Sequence, residues 1–225
     1  MLVLLPALVL AAADWVAVAT GARRAEYFLK PAVLLAILGA AIAIGADAST
    51  TESRFALDTH TWFLVLVALS LSLLGDVFLM LPSDRFVPGL VAFLGAHICY
   101  VAAFAWPGLG PGLWMSMALV GVTSTVLFGR IRAGIEARGR RELVVPVLVY
   151  VMAISVMVVV AVGTSWRDDW PQAAATSASV GAVLFYASDG LIGWTRFVSA
   201  LRHGRIAIMI TYHLGQMGLV LSLSR

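Results

Sequence analysis

The chain has 225 residues, of which 61% are hydrophobic and only 12% charged. A soluble domain carries about 25% charged residues, so this chain cannot build a water-facing surface around all of its mass. The net charge of +3 does not mark a nucleic-acid binder, because it follows from how arginine is spread around a membrane, and the single cysteine, Cys99, cannot form an internal disulfide.

The apolar residues fall in runs of 16 to 23, about the length that crosses a ~30 Å hydrocarbon core. They predict an all-α integral membrane protein, a bundle of about eight transmembrane helices forming one membrane domain. The first helix is expected at 1–20. Ala11-Ala12-Ala13 resembles a signal-peptide cleavage site, but no Lys or Arg precedes the run and apolar residues continue to Ala19, so it reads as a retained helix. Further helices are expected at 31–46, 60–81, 87–106, 111–129, 143–163, 172–194 and 204–223. Pro31, Pro82, Pro88, Pro107, Pro111 and Pro171 mark helix ends, and Pro146 fits a first turn. Pro107-Gly108-Leu109-Gly110-Pro111 reads as a tight turn.

The basic residues alternate with the helices. Arg23, Arg24, Lys30, Arg85, Arg130, Arg132, Arg138, Arg140, Arg141, Arg196, Arg202 and Arg205 fall on one side, leaving Arg54, Arg167 and Arg225 on the other. The positive-inside rule makes the basic side cytoplasmic and puts both termini on the opposite side. A weak internal echo accompanies this. Gly75-Asp76 near the end of helix 3 and Ser188-Asp189 near the end of helix 7 are each followed by a loop phenylalanine (Phe86, Phe197) and a helix with a central histidine (His97, His213).

An ionisable group inside a bilayer costs several kcal/mol unless it faces protein or water, so each one is a functional candidate. Asp14, Asp76 and Asp189 lie five or six residues from the basic ends of their helices, about 7–9 Å deep at 1.5 Å per residue. His97 and His213 fall at about 13–15 Å. The expected arrangement is a single polar cavity open to the cytoplasmic side, with three carboxylates at one level and two imidazoles below. Carboxylates so clustered cannot all carry charge, and one is expected to hold its proton near neutral pH. A protonated acid beside an ionised one is equipment for general acid–base chemistry. Ser72, Tyr186, Tyr100 and Gln216 lie three or four residues from these groups and share their faces. Ala178, Gly181 and Ala182 let helices approach closely. His60 and His203 read as interfacial, and Glu26 with Lys30 as a solvated i, i+4 pair. The candidate ligands are scattered singly over four helices, which argues against a metal. No nucleophile elbow, P-loop or dinucleotide fingerprint occurs, so no cofactor is expected.

Lys30-Pro31, Gly75-Asp76, the set Phe86, Gly89, Leu90, Phe93, His97 and Tyr100, then Ser188-Asp189 with Phe197, and Tyr212 with Gln216, together resemble the YhhN family of membrane proteins. Its characterised animal members are lysoplasmalogenases. Tyr212-His213-Leu214-Gly215-Gln216 departs from the family's more usual Tyr-x-x-Ala-Gln. The resemblance implies hydrolysis of a lysoplasmalogen's vinyl ether to a fatty aldehyde and a glycerophospho-base. Its partners would be a lysophospholipid and the bilayer, not nucleic acid. Asp76 and Asp189 are the expected catalytic pair, by analogy with the two carboxylates of glycoside hydrolysis. His97, Tyr100, Tyr212 and Gln216 would orient water and the ether oxygen. Lys30 would meet the phosphate, and Asp14, Ser72, Tyr186 and His213 would line the cavity. The same buried groups also describe a proton-coupled transporter, although no helix carries a mid-membrane Gly/Pro break. A lipid-binding protein without turnover is a third reading.

Overall fold

The computed structural model describes residues 2–48, 58–83, 85–106 and 108–224. Pro107, Arg54 and Arg225, which entered the expected turn and the charge count, lie outside these. Eight α-helices follow in order: α1 (Leu5–Thr20), α2 (Arg23–Ala48), α3 (Thr59–Met80), α4 (Phe86–Ala105), α5 (Leu113–Ala137), α6 (Val144–Gly163), α7 (Gln172–Phe197) and α8 (Gly204–Leu221). Short 3₁₀ turns precede α1 and flank α6.

Seven of these helices are long and apolar enough to cross a membrane, and the chain is an integral membrane protein. The exception by composition is α8, expected from sequence as the eighth span. It has 18 residues, and Arg205, Tyr212, His213 and Gln216 dilute its apolar character. Two expected boundaries move. α2 starts at Arg23 rather than Pro31, so Pro31 lies inside the helix, and α5 runs on to Ala137. Both extensions carry several charged helix formers, which hydropathy leaves out of a span but which propensity accepts.

The α1–α2 corner is closed by Gly21, whose φ of 73° is left-handed and whose N–H reaches the carbonyls of Ala17 and Val18. α3 packs along α4, and α7 along α8, as the two most extensive pairs. With connections of only a few residues, each pair is an antiparallel hairpin. Small residues set their spacing. A Cβ on Gly181 would stand 2.6 Å from the Leu219 backbone nitrogen and 2.8 Å from the Gly215 carbonyl. The outer surface is apolar, with Trp114, Leu119, Val122 and Val126 exposed along α5 and Val180 and Val183 on α7.

The arginine-bearing ends gather at one end of the bundle. Tyr27 Oη donates to the Met80 carbonyl at 2.9 Å, Arg205 pairs with Glu26 at 2.5 Å, Arg138 donates to the Phe197 carbonyl, and Phe86 packs on Phe197. At the opposite end Arg167 closes α4, donating to the carbonyls of Phe104 (2.8 Å), Trp106 (3.0 Å) and Gly108 (2.6 Å). A helix C-terminus leaves such carbonyls unpaired, so this arginine fills a structural need.

Because the Gly181 contacts are to backbone, a larger residue there cannot be absorbed by a side-chain shift. Gly181→Val is expected to cost about 3 kcal/mol, the upper range for overpacking. A thermal melt in detergent should show Tm lowered by several degrees; an unchanged Tm would mean that α7 and α8 are not held this closely.

Candidate functional site

Asp76 lies on the inner face of α3 and is 1% exposed. Burying a carboxylate this deep is costly without a partner, and both oxygens of Asp76 have one. Lys30 Nζ on α2 lies 2.8 Å from Oδ1, and Tyr212 Oη on α8 donates to Oδ2 at 2.7 Å. The Lys30 ammonium also sits 5.7 Å from the centroid of the Tyr212 ring. The expected Glu26–Lys30 surface pair is therefore not formed. With α2 helical from Arg23, Lys30 is turned into the bundle, while Glu26 pairs with Arg205.

Asp189 on α7 forms the second centre. Its Oδ2 accepts a hydrogen bond from Tyr150 Oη on α6 at 2.5 Å and lies 3.2 Å from His97 Nε2 on α4. His97 Nε2 is also 3.0 Å from Tyr150 Oη. Oδ1 of Asp189 has no hydrogen-bond partner among the described residues. The Phe185 ring lies between the two centres, packing edge-on at 4.9 Å from the His97 ring and 5.4 Å from the Tyr212 ring. Behind it Tyr100 Oη donates to Gln216 Oε1 at 2.7 Å.

The partners cross between the two hairpins. Asp76 of the α3–α4 hairpin is served by Tyr212 of α8, and Asp189 of the α7–α8 hairpin by His97 of α4. The sequence echo thus pairs with itself crosswise.

A pocket of about 500 Å³ has Asp189 and Tyr150 in its lining, and its other walls are apolar, including Leu79, Phe86, Phe93 and Ile192. Two openings of about 660 and 920 Å³ lie at the arginine-bearing end. They are lined by Arg23, Glu26, Lys30, Arg196 and Arg205, and the larger shares Leu79, Phe86 and Ile192 with the apolar pocket. An apolar pocket with one carboxylate in its lining thus neighbours a basic vestibule.

The single cavity expected from sequence is divided. Only Asp189 of the three carboxylates lines the apolar pocket. Asp14 is fully buried on α1, and neither of its oxygens has a hydrogen-bond partner among the described residues. His213 accepts at Nδ1 from Trp15 Nε1 at 3.1 Å, and it packs beside the Tyr212 ring rather than beneath the carboxylates. Ser72 Oγ is buried and unpartnered one turn before Asp76. Tyr186 is not in the site. Its hydroxyl meets Ser124 of α5 at 2.7 Å, and Ser124 meets Ser155 of α6 at 2.7 Å. The i, i+3 spacing from Asp189 puts the two side chains on adjoining faces that look at different neighbours.

Tyr150 was missed by sequence reasoning, which sought ionisable groups and passed over α6 because it has none. The available signal was a hydroxyl in an otherwise apolar helix, but tyrosine is tolerated so widely that this signal is weak. Among the described residues no group of three or more His, Cys, Asp or Glu is placed to hold a metal ion.

A family model described as the YhhN family matches residues 25–223. The chain belongs to the YhhN family. The match takes in Lys30, Asp76, His97, Tyr100, Tyr150, Asp189, Tyr212 and Gln216, whereas Asp14 and Trp15 precede it. The human lysoplasmalogenase TMEM86B is 34% identical over 159 residues, 70% of this chain and 62% of the relative. The mouse lysoplasmalogenase TMEM86B is 35% identical over 169 residues, 74% of this chain and 66% of the relative. A Mycobacterium tuberculosis lysoplasmalogenase is 35% identical over 140 residues, 58% of this chain and 49% of the relative. The chain thus spans just under two thirds of the length of these mammalian YhhN relatives. No solved structure matches it.

Removing one partner of the Lys30–Asp76 pair leaves a lone charge in the bundle. Lys30→Met is expected to destabilise the protein by about 3–5 kcal/mol. The double variant Lys30→Met/Asp76→Leu should recover much of that loss, because neither charge then remains. Denaturation of the single and double variants in detergent measures this; equal instability in both would show that the pair is not what the fold depends on here.

Proposed function

We propose that this protein is a membrane hydrolase of the lysoplasmalogenase type, cleaving the vinyl ether of a lysoplasmalogen to a fatty aldehyde and a glycerophospho-base. The observation that carries the reading is Asp189 in the lining of an apolar pocket that neighbours a basic vestibule. Those surroundings (apolar walls, carboxylate, cations) match a lysophospholipid's hydrocarbon chain, ether and phosphate. The lysoplasmalogenases among its relatives support the same reading.

In the proposed chemistry Asp189 delivers a proton to the vinyl carbon farther from the ether oxygen. An oxocarbenium ion results, with its charge shared between the other vinyl carbon and the oxygen. Tyr150 and His97 hold Oδ2 of Asp189, a residue that lines the pocket. Asp76, kept charged by Lys30 and Tyr212, is the second carboxylate of the pair and stabilises the cation. Water adds to the cationic carbon and gives a proton back to Asp189. The hemiacetal then breaks its bond to the glycerol oxygen, which leaves as the alcohol while the chain leaves as the aldehyde. Phe93, Phe185 and the apolar pocket wall keep other water from the cation. Electrostatic stabilisation in so dry a site is worth far more than in bulk water.

The basic end of the bundle is proposed to face the cytoplasm, with α8 as the eighth span and both described ends of the chain on the other side. The uneven distribution of arginine supports this through the positive-inside rule.

Asp76→Asn and Asp189→Asn are each expected to abolish aldehyde release from lysoplasmenyl-ethanolamine by purified, folded protein, and Tyr150→Phe to slow it by about 10²-fold, the range of a lost positioned proton-transfer partner. Wild-type turnover by either Asn variant overturns the assignment. Orientation has its own test: on a Cys99→Ala background, a cysteine at Gly139 should react with a membrane-impermeant maleimide only after cells are opened, and one at Asp168 in intact cells. The reverse pattern overturns the topology.

A further inference from the structure

Three glycines lie in α7, at Gly181, Gly190 and Gly193. The backbone does not call for them, since the positive-φ glycines among the described residues are Gly21 and Gly139. Glycine inside a helix is less favourable than alanine, so each needs a reason in its surroundings. Gly181 has one in the backbone of α8. Gly193 has a different one. A Cβ on it would stand 2.7 Å from Ile131 Cδ1 and 3.6 Å from Ile131 Cγ1 on α5, with no backbone atom of a neighbouring helix within 4 Å among the described residues. Helix packing therefore leaves room for a side chain at 193, and what that side chain would take is the space in front of Ile131. Both residues line the apolar pocket, and Gly193 is the one lining residue without a side chain. It follows Asp189 by four residues, so it lies one turn away on the same face of α7, about 6 Å along the axis.

We infer that Gly193, with Ile131 opposite it, sets the bore of the apolar pocket one turn from Asp189, and so selects the shape of the hydrocarbon chain close to the bond that is cut. The inference rests on the proposed reading of the Asp189 pocket. A chain that starts at the carboxylate and extends along α7 passes Gly193 after about 6 Å. That is about five carbon–carbon bonds of an extended chain, at about 1.5 Å and 111° each. An unbranched chain passes through the gap that the missing side chain leaves. A chain with a methyl branch at this point meets Ile131 instead. The discrimination is by excluded volume, because the wall here is aliphatic and offers no polar group to a substrate. A hydrophobic pocket distinguishes one methylene by about 10–200-fold, and overpacking an apolar wall is costly because the surrounding side chains must leave their rotamers. Gly193 and Ile131 thus act on the chain of the lipid and leave the headgroup to the vestibule.

Two vinyl ether lysolipids report the bore: 1-O-(1-hexadecenyl)-2-lyso-glycerophosphoethanolamine, whose chain passes Gly193, and its 1-O-(1-propenyl) counterpart, whose chain ends before it. The quantity read is the ratio of kcat/KM for aldehyde release, long chain over short. Gly193→Val should lower that ratio at least about tenfold, and Gly193→Ala should lower it less. Gly193→Val/Ile131→Ala should bring it back toward the wild-type value, because space taken on α7 is returned on α5. Ile131→Ala alone should accept a hexadecenyl chain with a methyl branch at carbon 6 that wild type turns over at least about tenfold more slowly than the unbranched one. A Gly193→Val ratio equal to wild type overturns the inference, as does an equal loss on both chains or a double variant that recovers nothing. Binding of tritiated, saturated 1-O-hexadecyl-2-lyso-glycerophosphoethanolamine to purified protein separates the bore from the chemistry. Gly193→Val should weaken it at least about tenfold and the double variant should restore it. If these binding differences hold while wild type releases no aldehyde, the hydrolase reading falls and the bore stands. If wild type turns over both lipids and Gly193→Val alters neither ratio nor binding, the bore falls and the hydrolase reading stands.

Discussion

A carboxylate inside a membrane protein has no water to fall back on, and every feature of the bundle interior follows from how Asp76 and Asp189 are supplied with partners. Lys30 provides the charge and Tyr212 the hydrogen bond for Asp76; Tyr150 and His97 hold Asp189. These partners come from four helices: α2 and α8 serve α3, while α4 and α6 serve α7. The desolvation cost of each buried charge thereby becomes a reason for the helices to assemble in one arrangement.

The crossing of partners between the α3–α4 and α7–α8 hairpins explains why the two aspartates are not equivalent, although their sequence surroundings echo each other. Asp76 meets a lysine and has both oxygens occupied. Asp189 meets Tyr150 and His97 on one oxygen and lines an apolar pocket. In the proposed chemistry, environment rather than residue type gives the two carboxylates their different roles, as in other two-carboxylate sites. Phe185 packs against a ring of each centre, His97 at one and Tyr212 at the other.

The basic residues divide their labour by depth. Those of the loops mark one end of the bundle, Arg196 and Arg205 line the vestibule, and Lys30 lies below them. Arg167 at the far end is consumed by the carbonyls of α4 and its loop, so its charge is structural. A charge count alone would treat all of these alike.

The sequence by itself determined the helices, most of their boundaries, the segregation of arginine to one end, and the aspartates and histidines worth examining. These follow from hydropathy and from the cost of burying charge, which act locally along the chain. It erred where surface chemistry extended a helix past its apolar part, as at Arg23 to Lys30, and so put Lys30 at the interface with Glu26 rather than in the bundle with Asp76. Only the tertiary structure decided which partner each aspartate takes, that Tyr150 belongs to the site, that Tyr186 belongs to a serine cluster on α5 and α6, and that one cavity is in fact a slot and a vestibule. Helical spacing says which residues share a face of one helix. It is silent on which neighbouring helix that face meets, and in a bundle of eight that choice decides the chemistry.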